Sequence, residues 1–284
     1  MLNRAARRRL SMGLATVLGL KKRGFFLPYR YADGVEAPRN YPAFKAFFRR
    51  FEPEFSAVLD EIQAKSTAIL DLEQSDRGCR LDQGWFPRLD ALVAYALIRD
   101  RKPARIVEIG SGHSTRFMAA AILDGGLETV LTCIDPAPRA SLSGLNVTWR
   151  KSVLQSAPKD DIAALGKGDL LFVDSSHLLM PGTDVDHLIS ELLPSLPSGA
   201  LLHVHDIFLP EGYPDIWAWR GYNEQSAIAA LLQGGGYRPL FSSRYVATEM
   251  DERLGQTPLL AASIVTETRD DFASSLWLEK QGPA

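Results

Sequence analysis

The feature that most restricts what this chain can fold into is the stretch Arg105-Ile-Val-Glu-Ile-Gly-Ser-Gly-His-Ser-Thr-Arg116, followed by the apolar run Phe117 to Leu123. Ile106, Val107 and Ile109 are β-branched and predict a short buried strand. Gly110 and Gly112 then turn the chain, and Ser114 or Thr115 can cap the helix that follows. A strand that stops at a glycine turn and opens into a helix aims free backbone N–H groups at whatever sits above the sheet edge. The glycines also let a ligand approach the backbone where a Cβ would block it. A dinucleotide fingerprint would place a third glycine where Thr115 stands, which argues against NAD. Alone, the turn could be purely structural, because tight glycine turns after strands are common.

The strands predicted downstream also end in chemistry-bearing side chains. Thr129 to Ile134 is followed by Asp135. A carboxylate at that tip can accept two hydrogen bonds from a ribose diol, although Asp135-Pro-Ala-Pro138 also makes a simple turn. A weaker strand covers Val147 to Arg150, with an adenine wall expected around Ser152 to Gln155. Asp169 to Val173 leads into Asp174-Ser-Ser-His177, and a helix from Thr183 presents Val185, Leu188, Ile189, Leu192 and Leu193 on one face. Ala200 to Val204 leads into His205-Asp206. Two consecutive βα units thus deliver Asp174, His177, His205 and Asp206 to the carboxyl edge that carries the glycine loop, where open α/β sheets bind ligands. His203 shares the strand parity of His205 and can be a satisfied core histidine.

Upstream, residues 41 to 74 carry helical periodicity, with Pro53 separating two helices or starting the second. Leu89 to Ile98 predicts another helix leading into the strand at 105; Gln83 and Trp85 precede it, where packing is the expected role of Trp85. At the start of the chain, Arg4, Arg7, Arg8, Arg9, Lys21, Lys22, Arg23 and Arg30 all come before the first acid, Asp33. The apolar run Leu10 to Leu20 between them is too short to span a bilayer. It resembles a signal peptide only superficially, since Lys21-Lys22-Arg23 follows without a small-residue cleavage site. The expected role is a cationic amphipathic helix packed on its own domain; the alternative is an interfacial helix drawn to anionic lipid. Phe25 to Tyr31 is expected to cover a core.

Downstream, Pro214 to Asn223 is rich in Trp and Tyr and could cover a substrate. Tyr237 to Thr248 with Leu259 to Val265 predict a closing antiparallel pair, and residues 267–284 a polar, loosely held tail. The expected organisation is a basic and helical region at 1–84, a ligand-binding α/β domain at 85–266 and the tail at 267–284. With 284 residues and a net charge of −2, the chain lacks the basic surplus of a general nucleic-acid binder. Cys79 and Cys133 are far apart with no CxxC, which fits a reducing cytoplasm and excludes a cysteine zinc site. Cys133 reads as a small buried hydrophobe.

The blocks Val107-Glu-Ile-Gly-Ser-Gly-His-Ser-Thr115, Ile134-Asp-Pro-Ala-Pro138, Leu171-Phe-Val-Asp-Ser-Ser-His177 and His203-Val-His-Asp-Ile-Phe-Leu-Pro210 resemble the bacterial class I methyltransferases that use S-adenosylmethionine (SAM), in the group called methyltransferase family 24. The Arg23-Gly-Phe-Phe and Trp219-Arg-Gly-Tyr-Asn-Glu-Gln225 segments are similar to the same group. The resemblance implies an α/β fold: a Rossmann-like sheet with helices on both faces and an antiparallel final strand, here preceded by an N-terminal helical layer. It implies SAM as cofactor, with Glu108, Gly110, Ser111, Gly112 and Ser114 in the SAM loop, Asp135 on the ribose and Asp174 facing the reacting centre. Some related O-methyltransferases hold Mg²⁺ with acids at the ends of strands four and five, where Asp174 and Asp206 stand; His205 before Asp206 departs from that pattern. The expected function is methylation of an oxygen on a small-molecule or glycan-type acceptor, with His177 or His205 as base, or Mg²⁺ on Asp174 and Asp206. The alternatives are a SAM-binding interaction protein and non-methyl chemistry on the same fold. The expected partners include no nucleic acid. The expected location is the cytoplasm, with residues 1–30 able to touch the inner membrane face.

Overall fold

The computed structural model describes residues 4–261 and 272–282. In chain order, α1 (Arg4–Val17) precedes an irregular stretch to Asn40. Then come α2 (Pro42–Arg49), α3 (Glu52–Ala64) and α4 (Ser66–Gln74), with Pro42 and Pro53 in first turns, where a missing N–H costs nothing. Phe48, Phe55, Leu59, Ile62 and Ile69 of this layer are fully buried. The next helix, α5 (Arg88–Arg101), is buried without interruption from Leu89 to Ile98 and packs against α3. A helix apolar all round belongs inside a structure, so the one acid in that run, Asp90, needs a partner.

The α/β part follows as β1 (Arg105–Ile109), α6 (His113–Asp124), β2 (Val130–Ile134), β3 (Thr148–Arg150), α7 (Lys159–Ala163) and β4 (Leu170–Val173). After β4, α8 (Asp184–His187) runs through a π turn at Leu188–Leu192 into α9 (Leu193–Ser195) and on to β5 (Leu201–Val204). The chain closes with α10 (Glu224–Gln233), β6 (Tyr237–Ser242), α11 (Ser243–Glu249), α12 (Asp251–Gly255) and β7 (Leu276–Lys280). These make one seven-stranded sheet of order β3-β2-β1-β4-β5-β7-β6, parallel except for β7, which is antiparallel to both neighbours. This is the Rossmann-like sheet that the resemblance implies, with helices at the N-terminus.

Register explains how the site is assembled. Ile109 pairs with Ile134 and with Val173, and Val173 pairs with Val204. Four strands therefore end level, which sets Gly110, Asp135, Asp174 and His205 side by side along one edge. Ladder hydrogen bonds continue one residue further, from Asp174 N to Ile109 O (2.9 Å) and from His205 N to Val173 O (2.9 Å).

Four expectations are overturned. The partner of β6 is Leu276–Lys280, not Leu259 to Val265, and Ser243 onward is helix rather than strand; residues 262–265 of that expectation lie outside the described residues. The stretch 267–284 is therefore not a loose tail where it is described: β7 lies between β5 and β6, and Trp277 packs against Phe172 (ring centroids 6.0 Å) and His203 (4.8 Å). Its polar composition hid a five-residue strand with Leu276, Trp277 and Leu278 buried. At the other end, α1 does not bury a face on the domain, and the Phe25 to Tyr31 aromatics cover no core; no described residue before Phe44 is buried.

Candidate active site

Gly110 sits at φ +81°, and a Cβ there would lie 1.8 Å from the carbonyl oxygen of Asp174, so only glycine lets the loop pass over β4. Beneath the loop, Glu108 is fully buried, and its carboxylate accepts hydrogen bonds from Ser114 Oγ (2.6 Å), Thr115 Oγ1 (2.6 Å) and the Cys133 thiol (3.3 Å). Gly112 N in turn donates to Thr115 Oγ1 (3.0 Å). Burial pushes the Glu108 carboxyl up to about 7, partly offset by those donors. Glu108 and Ser114 thus spend their side chains holding the loop from inside, and Cys133 is more than a hydrophobe because its thiol joins the network. The Ser111 hydroxyl is buried with no partner among the described residues.

Asp135, at the tip of β2, accepts hydrogen bonds from Ser111 N (2.7 Å) on one oxygen and Ala137 N (2.6 Å) on the other. Each carboxylate oxygen keeps a lone pair for a further donor. The strand-tip acid and the glycine loop are therefore one rigid unit.

At the ends of β4 and β5 lies a cluster of imidazoles and carboxylates. His177 Nε2 is 3.2 Å from Asp174 Oδ1 and 3.3 Å from Asp206 Oδ2, while its Nδ1 is 3.0 Å from Glu224 Oε2. His205 Nε2 is 3.2 Å from Asp90 Oδ2, and its Nδ1 is 3.6 Å from Asp174 and 3.4 Å from Asp206. Burial alone would lower both histidines, but these carboxylates outweigh it and hold both well above the ordinary range. Burial likewise would raise Asp174, yet His205 and His177 hold it well below. Four acidic side chains face two imidazoles here, and burial pushes one of the four, Glu224, upward.

His177 (φ 58°) and Asp206 (φ 57°) both occupy the left-handed region, which costs a non-glycine residue about 1–3 kcal/mol. Surrounding bonds hold them there: His177 O accepts from Asn223 N (3.1 Å), and Asp206 Oδ1 accepts from Ser274 Oγ (3.3 Å). Strain of this kind gathers where a side chain must be aimed. His203, by contrast, is a core histidine that is only half satisfied: it bonds Ser275 Oγ through Nε2 (2.8 Å) and stacks on Phe172 at 3.7 Å, while its buried Nδ1 has no partner among the described residues.

Asp174, His177 and Asp206 can each aim one ligand atom at a shared point, the three atoms lying within 4.8 Å of one another. The expected pair of acids is thereby joined by a nitrogen donor. With a metal on Nε2, His177 would be neutral and its Nδ1–H would donate to Glu224, the usual outer-shell support for a ligating imidazole. One nitrogen among the donors suits Mn²⁺ or Fe²⁺ better than Mg²⁺, which prefers oxygen throughout.

The cleft above this floor is rimmed by Trp85, Arg139, Trp217, Arg220 and Phe272. Arg139 stacks over Trp85 at 4.2 Å, and Arg220 over Trp217 at 4.1 Å. Trp85 is half exposed at this rim, so the packing role expected for it is wrong; Gln83 folds back to accept from Trp85 N (2.7 Å) and Phe86 N (3.0 Å). Asp90, Glu224 and Ser274 were missed in the sequence. Asp90 carried a signal, as an acid inside an apolar helix run. Glu224 follows Asn223 and passes for an ordinary first-turn acid, and Ser274 carried no signal.

Residues 107–207 match a family model described as a methyltransferase domain, so the resemblance read from the sequence holds over that segment. The ribosomal RNA small subunit methyltransferase G of Burkholderia ambifaria is 30% identical over 152 residues, covering 51% of this chain and 58% of that protein. The chain thus matches less than two thirds of that curated relative's length. Among solved structures, a Podospora anserina methyltransferase bound to S-adenosylhomocysteine is similar at 16% identity and TM-score 0.42, covering 91% of this chain and 100% of that one. The O-methyltransferase TomG of Streptomyces achromogenes, in complex with SAM, is similar at 17% identity and TM-score 0.41, covering 78% and 90%.

Proposed function

We propose that this chain is a SAM-dependent methyltransferase acting on an oxygen of a small-molecule or glycan-type acceptor. The observation that carries the reading is a shared edge: the glycine loop with Asp135 stands level with a buried histidine held between three carboxylates. SAM when bound supplies an electrophilic methyl group on a cationic sulfonium. The loop suits it on two counts: Ser111 offers an unpartnered buried hydroxyl, and Asp135 has lone pairs free for a ribose diol. Asp174, held in its charged form by His205 and His177, favours a cation nearby. Glu108 and Ser114 act by holding the loop.

Methyl transfer between heteroatoms needs in-line placement and an acceptor that has lost its proton. The carboxylates around His177 favour its protonated form, so it can take the acceptor's proton only after Nε2 has released its own to solvent, with Glu224 then accepting from Nδ1 and stabilising the imidazolium that forms. His205 stands one step back, tied to Asp90, and orients Asp174 and Asp206. In the metal-assisted variant Asp174, His177 and Asp206 are the ligands, and a divalent ion would lower the acceptor hydroxyl's pKa. The Arg139 and Arg220 rim, with its tryptophans, suits an acceptor with an anionic or planar group. Carboxylates on the floor and a net charge of −2 favour a small acceptor over RNA, the substrate class in the name of the Burkholderia relative. We place the protein in a reducing cytoplasm, which fits two free, buried cysteines; among the described residues no helix is long and apolar enough to cross a membrane.

The deciding experiment is calorimetric titration with SAM and with NAD. SAM is expected to bind, NAD is not, and Asp135→Ala is expected to weaken SAM about 10- to 100-fold, the worth of hydrogen bonds to a charged group. Failure of SAM to bind with or without a divalent ion would overturn the reading.

A further inference from the structure

The N-terminal segment carries the longest run of exposed large apolar side chains among the described residues. Leu10, Leu14 and Val17 recur at helical spacing on α1 and are each at least half exposed. Leu18, Leu20, Phe26, Leu27, Tyr29 and Tyr31 continue the exposure, reaching 77% at Leu20. Isolated exposed leucines are ordinary, but a contiguous run marks an interaction site. The segment is also locally ordered. Thr16 Oγ1 donates to Met12 O (3.0 Å) and accepts from Arg23 N (2.9 Å), and Lys21 N returns to Ala15 O (3.1 Å).

Charge identifies the occupant. Eight cations, from Arg4 to Arg30, stand among these apolar groups before the first acid at Asp33. None of the eight forms an ion pair among the described residues. A second copy of this chain would set like charges against one another. A surface that offers apolar depth and dispersed negative charge matches both halves of the pattern, with Phe, Tyr and Leu at the boundary and Lys and Arg on the headgroups.

The segment is fastened beside the active site. Tyr41 N donates to Pro210 O (2.7 Å), Gly212 N donates to Arg39 O (2.9 Å), and Asn40 bridges to Glu211. These partners directly follow the β5 end that carries His205 and Asp206. They lead into the Asp215–Arg220 turn, whose Trp217 and Arg220 line the cleft and whose Ile216 and Trp219 are more than half exposed. The chain from Tyr31 to Arg39 reaches at most ~30 Å.

We infer that residues 4–31 are a docking surface for an anionic lipid bilayer, and that the fastening at 39–41 keeps the mouth of the active site within reach of that bilayer. This does not depend on the methyl-transfer reading, because it stands on exposure and charge outside the cleft.

The test is co-sedimentation of the full chain with vesicles of phosphatidylcholine and phosphatidylglycerol, compared with phosphatidylcholine alone. Binding is expected only to the anionic vesicles and is expected to weaken with added salt. The triple variant Arg7→Glu, Arg8→Glu, Arg9→Glu is expected to bind at least on the order of a hundredfold more weakly. Leu14→Asp with Leu18→Asp is expected to abolish binding even at low salt. All of these side chains are exposed, so the thermal unfolding and SAM titration of each variant should match the parent, which separates loss of docking from loss of fold or of cofactor. Equal binding to both vesicle types, or unchanged binding by the variants, would overturn the inference. So would a concentration-dependent dimer that ignores vesicles, which would assign the face to a second copy.

Discussion

Asp90 on α5 and His205 at the end of β5 are 115 residues apart in sequence and meet at 3.2 Å in the protein. Asp90 also accepts from Ser274 N (3.0 Å) and Ser275 N (3.1 Å), so a single buried carboxylate ties a helix, a central strand and the entry to β7. Its burial is tolerable only because every partner is in place.

Removing that carboxylate should therefore cost far more than a surface change. Asp90→Ala is expected to lower stability by about 3–5 kcal/mol, since it strands two amides and a charged imidazole. Asp90→Asn, which keeps one acceptor, should cost less. Urea unfolding of the three proteins measures this, and a loss under about 1 kcal/mol for Asp90→Ala would show that the network carries little.

His177→Gln keeps the side chain's size and one hydrogen bond but cannot take a proton at neutral pH. Turnover is expected to fall about 10²- to 10⁴-fold while SAM affinity stays at the parent value. Unchanged turnover would remove His177 from the mechanism.

If Asp174, His177 and Asp206 hold an ion, the ion must stabilise the folded chain by mass action. Mn²⁺ is expected to raise the melting temperature more than Mg²⁺, and neither should do so in Asp206→Asn. A parent protein indifferent to both ions would leave proton removal to His177 alone.

Glu108 provides a pH signature. Its folded carboxyl is raised to about 7 by burial, against 4.5 when exposed. Between those values the folded state holds a proton that the unfolded state has released. Its contribution is thus fully present below about 4.5 and is lost as pH rises to about 7. That window is worth about 3 kcal/mol. The stability difference between the parent and Glu108→Gln should shift by that order across the window, with the parent losing ground as pH rises. Parallel pH profiles would show that the carboxyl is not raised.

Local sequence determined the parallel core of the fold and the positions of its edge residues. Apolar strands followed by Gly110, Asp135, Asp174 and His205 could be read directly, because a short buried strand is a local hydrophobic pattern and its end is a local change of chemistry. That the four stand level was decided by register, which depends on pairing between distant segments. The partners that complete the site, Asp90 from before the sheet, Glu224 from α10 and Ser274 from the entry to β7, arrive through tertiary contacts, and nothing local distinguishes the last two. The left-handed backbone at His177 and Asp206 is likewise imposed from outside, by Asn223 and Ser274, at positions where no glycine advertises it. At the C-terminus, a polar-looking stretch became a buried strand because the β5–β6 gap needed filling. At the N-terminus, apolar side chains stayed outside because no surface of the domain covers them. Periodicity states which residues can be buried together; only the assembled chain decides what buries them.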